Sequence, residues 1–385
     1  MPHSSNDPGA LDRRQFLTRL SGAALGATAG VALLKSASAA PEIERRNEQP
    51  TMVYRPFGKT GLNVSRISYG CLQLRDDLLP ALDIAVERGL NLLHIADNYS
   101  RGQSILSLAK FLKKPGVRDK VWIMVKGAHG SGIDIAKFEG NLKTLGIENA
   151  DIICAPIFEP DAIRKSEQEV EKLETLKKAG KVRFLNLTSH TSPREAIEAG
   201  VDAGWYSSIL SVIDTSTVER FQPAIARANQ ANVGMMAMKT TRNARGKAPA
   251  DIVQGLFAAG VDTLLRSLNT REDVDAWFAA VVEAGKTAAL PTTVAGAACD
   301  GDCELCGGCS RVCPNGVATQ DIVRDFTYYY EQNGRPDLAA ERYAELRPGA
   351  TALACGDCGR CEAQCPRHMP IRRILREAHA RLATA

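Results

Sequence analysis

The chain has 385 residues, 44% of them hydrophobic and 24% charged, which is enough apolar side chain for a large domain plus a small one. Its formal net charge of +4 is split evenly, +2 in residues 1–39 and +2 in the remainder. No basic surplus marks it as a nucleic-acid binder.

Residues 1–39 have the layout of a targeting segment. A polar stretch leads to Arg13 and Arg14 in the run DRRQFL, an apolar Gly/Ala-rich stretch spans Leu20 to Leu34, and Ala37-Ser38-Ala39 offers a small-residue cleavage site. The segment resembles a twin-arginine export signal and predicts a periplasmic or otherwise extracytoplasmic protein, exported already folded. As a membrane anchor it is too short and too weakly apolar, and no transmembrane span is expected in the mature chain. Residues 40–51 are polar and read as a linker.

From Met52 the pattern becomes regular. Tyr54–Phe57 and Leu62–Ser65 flank Gly58-Lys59-Thr60-Gly61 and predict a β-hairpin. Short apolar runs near 66–70, 90–95, 121–126, 150–155, 182–187, 207–212, 233–238 and 262–266 then alternate with amphipathic segments such as 78–88, 135–145, 163–178 and 271–282. Eight strand–helix units in series predict a TIM-type (β/α)8 barrel over 52–290. A doubly wound open sheet is the alternative, although no G-x-G-x-x-G opens the series.

Residues 291–385 carry one cysteine spacing twice. Cys303, Cys306, Cys309 and Cys313-Pro314 read C-x2-C-x2-C-x3-C-P, and Cys355, Cys358, Cys361 and Cys365-Pro366 repeat it. This is the bacterial ferredoxin run, in which the fourth cysteine ligates the other cluster. It predicts two 4Fe-4S clusters in a small α-rich ferredoxin-like domain. One is assigned to Cys303, Cys306, Cys309 and Cys365, the other to Cys355, Cys358, Cys361 and Cys313. Zinc sites use separated C-x2-C pairs, and a disulfide framework leaves the repeated C-P ending unexplained. Cys299 reads as a spare, and Cys71 and Cys154 as small core residues. Tyr328–Tyr330 are expected on a helix over the clusters. A closing amphipathic helix runs from Pro370, with Ile371, Ile374, Leu375, Ala378 and Leu382 on one face. Its arginines suit an acidic redox protein partner.

The runs YRPFGKTGLNVSRISYG, GLNLLHIADNY, VWIMVK, GKVRFLNLTSH and VGMMAMK resemble successive signatures of the aldo/keto reductases, and more narrowly the bacterial branch with a ferredoxin-like tail. The resemblance covers residues 52–383. It implies a barrel opened by a hairpin and a small-molecule site at the C-terminal mouth of the strands. Tyr99 takes the family's proton-donor position and Lys126 that of the lysine which lowers the tyrosine pKa. Two positions depart: His94 stands where the family has an aspartate, with Asp97 nearby, and Pro156 stands where it has a histidine. His190 matches a histidine of the ferredoxin-tailed branch, and His129 is a second mouth histidine; both also read as loop residues. NADP(H) is a possible cofactor, with Thr188 for the carboxamide and Arg266, Asn269 and Arg271 for phosphate. Ser208 and Ser211 replace the usual Gln and stacking Tyr. The resulting expectation is an exported iron–sulfur oxidoreductase acting on a carbonyl or quinone-like molecule. The alternative is a non-catalytic electron-transfer or docking protein with a degenerate barrel.

Overall fold

A computed structural model of the protein describes residues 42–127, 132–244, 246–286 and 303–383. The expected leader, His129 and Cys299 lie outside the described residues.

Eight parallel strands close into a barrel: β4 (Ile67–Gly70), β5 (Leu92–Ile95), β6 (Trp122–Lys126), β7 (Ile152–Pro156), β8 (Phe184–Ser189), β9 (Ser208–Val212), β10 (Gly234–Met238) and β11 (Thr263–Arg266). All eight predicted strands are present. Leu264 of β11 lies opposite Ile67 of β4, which closes the sheet and excludes the open alternative. Side chains alternate along each strand, so one set lines the bore while the other packs under the surrounding helices. Leu92, Trp122, Met124, Ile152, Cys154, Leu210, Val212, Met236 and Met238 form a continuous inner core. By the same alternation His94, Lys126, Pro156 and Thr188 fall on the bore side near the C-terminal ends of their strands.

The hairpin of β2 (Tyr54–Pro56) and β3 (Leu62–Ser65) plugs the bottom of the bore with Phe57, Leu62 and Val64. This closure requires glycine at Gly58. Its φ is +53°, and a Cβ there would collide with the backbone of Gly234.

Two details differ from the sequence reading. Part of the expected linker is ordered structure: β1 (Glu44–Arg45) pairs in parallel with Leu62–Asn63. Asn47 Nδ2 donates to Val86 O at 2.6 Å, and Arg183 bonds Glu44. Polar side chains here satisfy barrel backbone, so a polar composition did not mean a free tether. The helix expected over 163–178 is two helices, Pro160–Arg164 and Glu167–Lys178. Buried Ser166 causes the break: its hydroxyl is 2.6 Å from both Ile163 O and Tyr206 Oη, so it competes with the helical ladder.

The C-terminal part is α-rich. Helix Thr319–Arg324 runs into a π-helical stretch, Asp325–Gln332, followed by Pro336–Ala344 and the closing helix Ile371–Leu382. The five apolar residues predicted for the inner face of that last helix are all buried, in a core with Ile322, Phe326, Leu338 and Tyr343.

Candidate active site and cluster cages

At the barrel mouth Tyr99, Lys126 and His94 are buried together. Lys126 Nζ lies 5.5 Å from the Tyr99 ring centroid, and the His94 ring centroid is 5.9 Å from that of Tyr99. Burial pushes the Lys126 ammonium down to about 8, assisted by the charge of Arg342, and pushes the Tyr99 phenol up. Asp97 pairs with Lys137 at 2.9 Å and does not stand in for the missing aspartate. Among the described residues Lys126 has no carboxylate partner. Both ring nitrogens of His94 lack a hydrogen-bond partner, and burial holds the imidazole neutral, well below its usual range. His190 follows β8. Its ring meets Phe158 edge-on at 5.7 Å, and burial, then Lys126 and Lys239, also push its pKa well down.

Sequence reasoning missed Lys239, Arg324 and Arg342, and it placed Tyr328 and Tyr329 over the clusters without their contacts at the mouth. Lys239 Nζ donates to Tyr329 Oη at 2.7 Å and lies 5.0 Å from the Tyr328 ring centroid. The predicted tyrosine helix is present but π-helical, and it packs over the mouth as well as over its own domain. The only sequence signal for Lys239 is its place at the end of an apolar strand. Its partner is 90 residues away, which no local pattern reveals.

Three arrangements tie the first cysteine loop to the barrel. Ser192 N donates to Leu305 O at 2.9 Å and Ser192 Oγ to Cys306 O at 3.0 Å. Arg242, in a buried 2.8 Å ion pair with Asp214, reaches the Cys303 carbonyl. The Leu305 side chain, fully buried, joins Met236, Met238, Leu210 and Val212 of the bore core.

The two cysteine loops match in backbone as well as in spacing. Leu305 and Asp357, each just before the second cysteine, are left-handed at φ +57° and +52°, and Gly307 and Gly359, each just after it, are at +75° and +72°. Cys303, Cys306, Cys309 and Cys365 line one cavity with Leu305, Val323, Met369 and Ile371. This is the cross-motif set assigned to the first cluster. Burial pushes the free Cys309 thiol up to about 12, so a thiolate there needs the positive charge of bound iron. On the other side Asn315, two residues after Cys313, donates to Ala354 O at 2.7 Å and brings the Cys313–Pro314 turn to the second loop. Among the described residues no cysteine is in a disulfide, and no three His, Cys, Asp or Glu side chains converge on one ion-sized point. A single zinc needs that convergence, whereas a cube spreads its four thiolates over four irons. The residues present fit 4Fe-4S clusters.

The four residues expected for a dinucleotide stand in different settings. Thr188 is fully buried and donates to Asn186 Oδ1 at 3.0 Å. Arg266 donates to Thr241 Oγ1 at 2.9 Å and stacks 4.3 Å from the Trp277 ring, while Arg271 opens the last barrel helix on the surface. Asn269 N donates to Asp273 Oδ2 at 3.0 Å, an arrangement that caps this helix. Leu305 and the tyrosines fill the mouth above them.

Residues 67–246 match the model of the aldo/keto reductase family and residues 302–369 that of a 4Fe-4S dicluster domain. An aldo-keto reductase of Fusarium vanettenii is 29% identical over 181 residues, 35% of this chain and 48% of its own. The aldo-keto reductase YhdN of Bacillus subtilis is 26% identical over 158 residues, 36% of this chain and 47% of its own. The chain thus spans about half the length of these relatives. A solved putative aldo-keto reductase from Pseudomonas aeruginosa superposes with a TM-score of 0.51 at 18% identity, covering 64% of this chain and 99% of that one, a likeness of fold.

Proposed function

We propose that this protein is an exported iron–sulfur oxidoreductase in which two 4Fe-4S clusters exchange single electrons with the barrel mouth, where a carbonyl or quinone-like molecule is the substrate. The observation that carries this reading is the seating of the first cysteine loop on the mouth, through Ser192, Arg242 and Leu305. When bound, the clusters supply one-electron chemistry. Tyr99 holds its proton because burial raises its pKa, and it donates that proton to oxygen as charge develops there. Lys126, charged below about pH 8, lowers the cost of the phenolate left behind. Because Leu305 and the tyrosines close the mouth, substrate access requires the dicluster domain to shift. An acidic redox protein would meet the arginines of helix Ile371–Leu382, close to exposed Cys358.

A second reading, an electron-transfer module with a relict barrel, draws on Pro156, on partnerless His94 and on the closed mouth. Anaerobic titration of the cluster-loaded protein separates the two. On the enzyme reading NADPH or a quinol bleaches the cluster absorbance, and Tyr99→Phe abolishes turnover while leaving iron and sulfide content unchanged. A protein bleached by dithionite alone, with Tyr99→Phe indistinguishable from wild type, supports the module.

A further inference from the structure

Two tyrosine–lysine pairs stand at the mouth, and only one is hydrogen-bonded. Lys126 sits over the Tyr99 ring at 5.5 Å. Lys239 bonds the Tyr329 hydroxyl at 2.7 Å and also lies 4.5 Å from the Tyr329 ring centroid. The second pair joins the barrel to the dicluster domain, and its lysine is held in the left-handed region at φ +56°, which a lysine rarely adopts.

The charges around Lys239 are nearly all of one sign. Arg324 and Arg342 face it from the dicluster domain and Lys126 from β6, with Asp325 as the nearby carboxylate. Asp325 is itself engaged by Arg324 at 2.8 Å. Among the described residues the other titratable groups there are Tyr99, Tyr328, His94 and His190, with Glu345 acting on Lys126 and with Arg266 and the Arg242–Asp214 pair acting on Tyr328. The arginines keep their protons at every pH. Burial and these neighbours push Lys239 well below its ordinary range, so it stands ready to take a proton. The two histidines are also pushed down, but neither has a hydrogen-bonded hydroxyl to supply one.

Lys239 is also tied to the first cage. Met238, the preceding residue, shares an apolar cluster with Leu305 and Cys303. Arg242 N donates to Lys239 O at 2.9 Å, and the Arg242 guanidinium reaches the Cys303 carbonyl. An electron added at the cage therefore brings negative charge to a water-poor region whose two carboxylates, Asp214 and Asp325, are each already paired with an arginine.

We propose that Tyr329 and Lys239 form a redox-linked proton site, in which one-electron reduction of the first cluster is accompanied by binding of one proton at Lys239 Nζ, delivered through Tyr329 Oη. The electron comes from an external one-electron reductant and stays on the cluster. With Lys239 neutral, its Nζ lone pair accepts the Tyr329 hydroxyl proton across the 2.7 Å contact, and the Tyr329 O–H is re-formed by one proton taken up from outside the pair; the net new bond is N–H, and reoxidation reverses the sequence. The coupling is reciprocal: protonated Lys239 raises the cluster potential by the same free energy by which reduction favours protonation.

This inference rests on the cluster assignment above and on no substrate. The test is a potentiometric titration of the cluster-loaded protein with dithionite at pH values from about 6 to 10, read by electron paramagnetic resonance. One cluster is expected to lose up to about 59 mV per pH unit, the value of a tenfold change in proton concentration for one electron. Lys239→Met flattens that slope, whereas His190→Asn keeps it. Lys239→Arg, protonated throughout, also flattens it and serves if the Met variant does not assemble clusters. Tyr329→Phe keeps the equilibrium slope and slows reduction in stopped flow. A flat wild-type potential, or a slope that survives in Lys239→Met and Lys239→Arg, overturns the proposal. Absence of any reduced-cluster signal would overturn the cluster assignment itself, and the inference with it.

Discussion

Lys126 is a buried cation with no ion-paired carboxylate among the described residues, and Glu345 offsets its burial only in small part, so it costs the fold free energy whenever it is protonated. The pH dependence follows from its pKa of about 8 in the folded protein against about 10.5 in the unfolded chain. Below about pH 8 both states bind the proton and the folded state bears the whole desolvation cost. Between about 8 and 10.5 the unfolded chain holds a proton that the folded one has lost, so stability rises with pH across that window. Lys126→Met should therefore stabilise the cluster-loaded protein by about 1–3 kcal/mol at pH 7, with the gain fading towards pH 10. Urea midpoints followed by tryptophan fluorescence at the two pH values check this. A variant less stable than wild type at pH 7 would mean the ammonium is already compensated. A residue that weakens the fold in this way is expected at a working site.

At the scale of elements, the repeated cysteine loops allow a matched comparison. Leu305 and Asp357 occupy equivalent left-handed positions, where glycine would relieve about 1–2 kcal/mol of backbone strain. Leu305 is buried in the barrel bore, and deleting a buried leucine side chain costs about 2–5 kcal/mol, so burial wins. Leu305→Gly should undock the loop and speed the loss of one cluster in air, seen as faster decay of visible absorbance. Asp357 is exposed, and its contacts to Arg372 and Arg376 are surface ion pairs worth about 0–1 kcal/mol. Asp357→Gly should leave the decay rate within about twofold of wild type. Equal effects of the two substitutions would show that Leu305 does not hold the first cage on the barrel. The cysteine spacing and the eight strand runs were readable in the sequence because each is a local pattern with a fixed period. What could not be read is long-range docking: Leu305 in the bore, Tyr329 on Lys239, and polar Glu44–Arg45 completing a sheet. Each depends on a surface built by a distant segment. Ser166 was likewise hidden, since the same hydroxyl ends a helix only when Tyr206 is there to bind it.

For the whole molecule, the first cage and the expected leader together would impose an order of events. The first cage is lined by residues from both cysteine motifs and is held against the barrel by Ser192 and Arg242, so iron bound there would have to be in place when the two parts dock. Thiolates assembled in an oxidising compartment would be exposed to disulfide formation before docking protected them. If residues 1–39 act as a twin-arginine signal, cluster insertion and docking both precede export, and failure of either keeps the protein inside. Replacing Arg13 and Arg14 together by Lys should leave brown, uncleaved precursor in the cytoplasm, with about eight iron atoms per chain as two cubes require. Cys309→Ala, with the signal intact, should also hold precursor back, because the first cage then lacks a ligand and folding is incomplete. Fractionation with antibody detection and iron analysis of each fraction checks both variants. Cys309→Ala protein that reached the outer compartment in mature form would show that cluster assembly is not required for export.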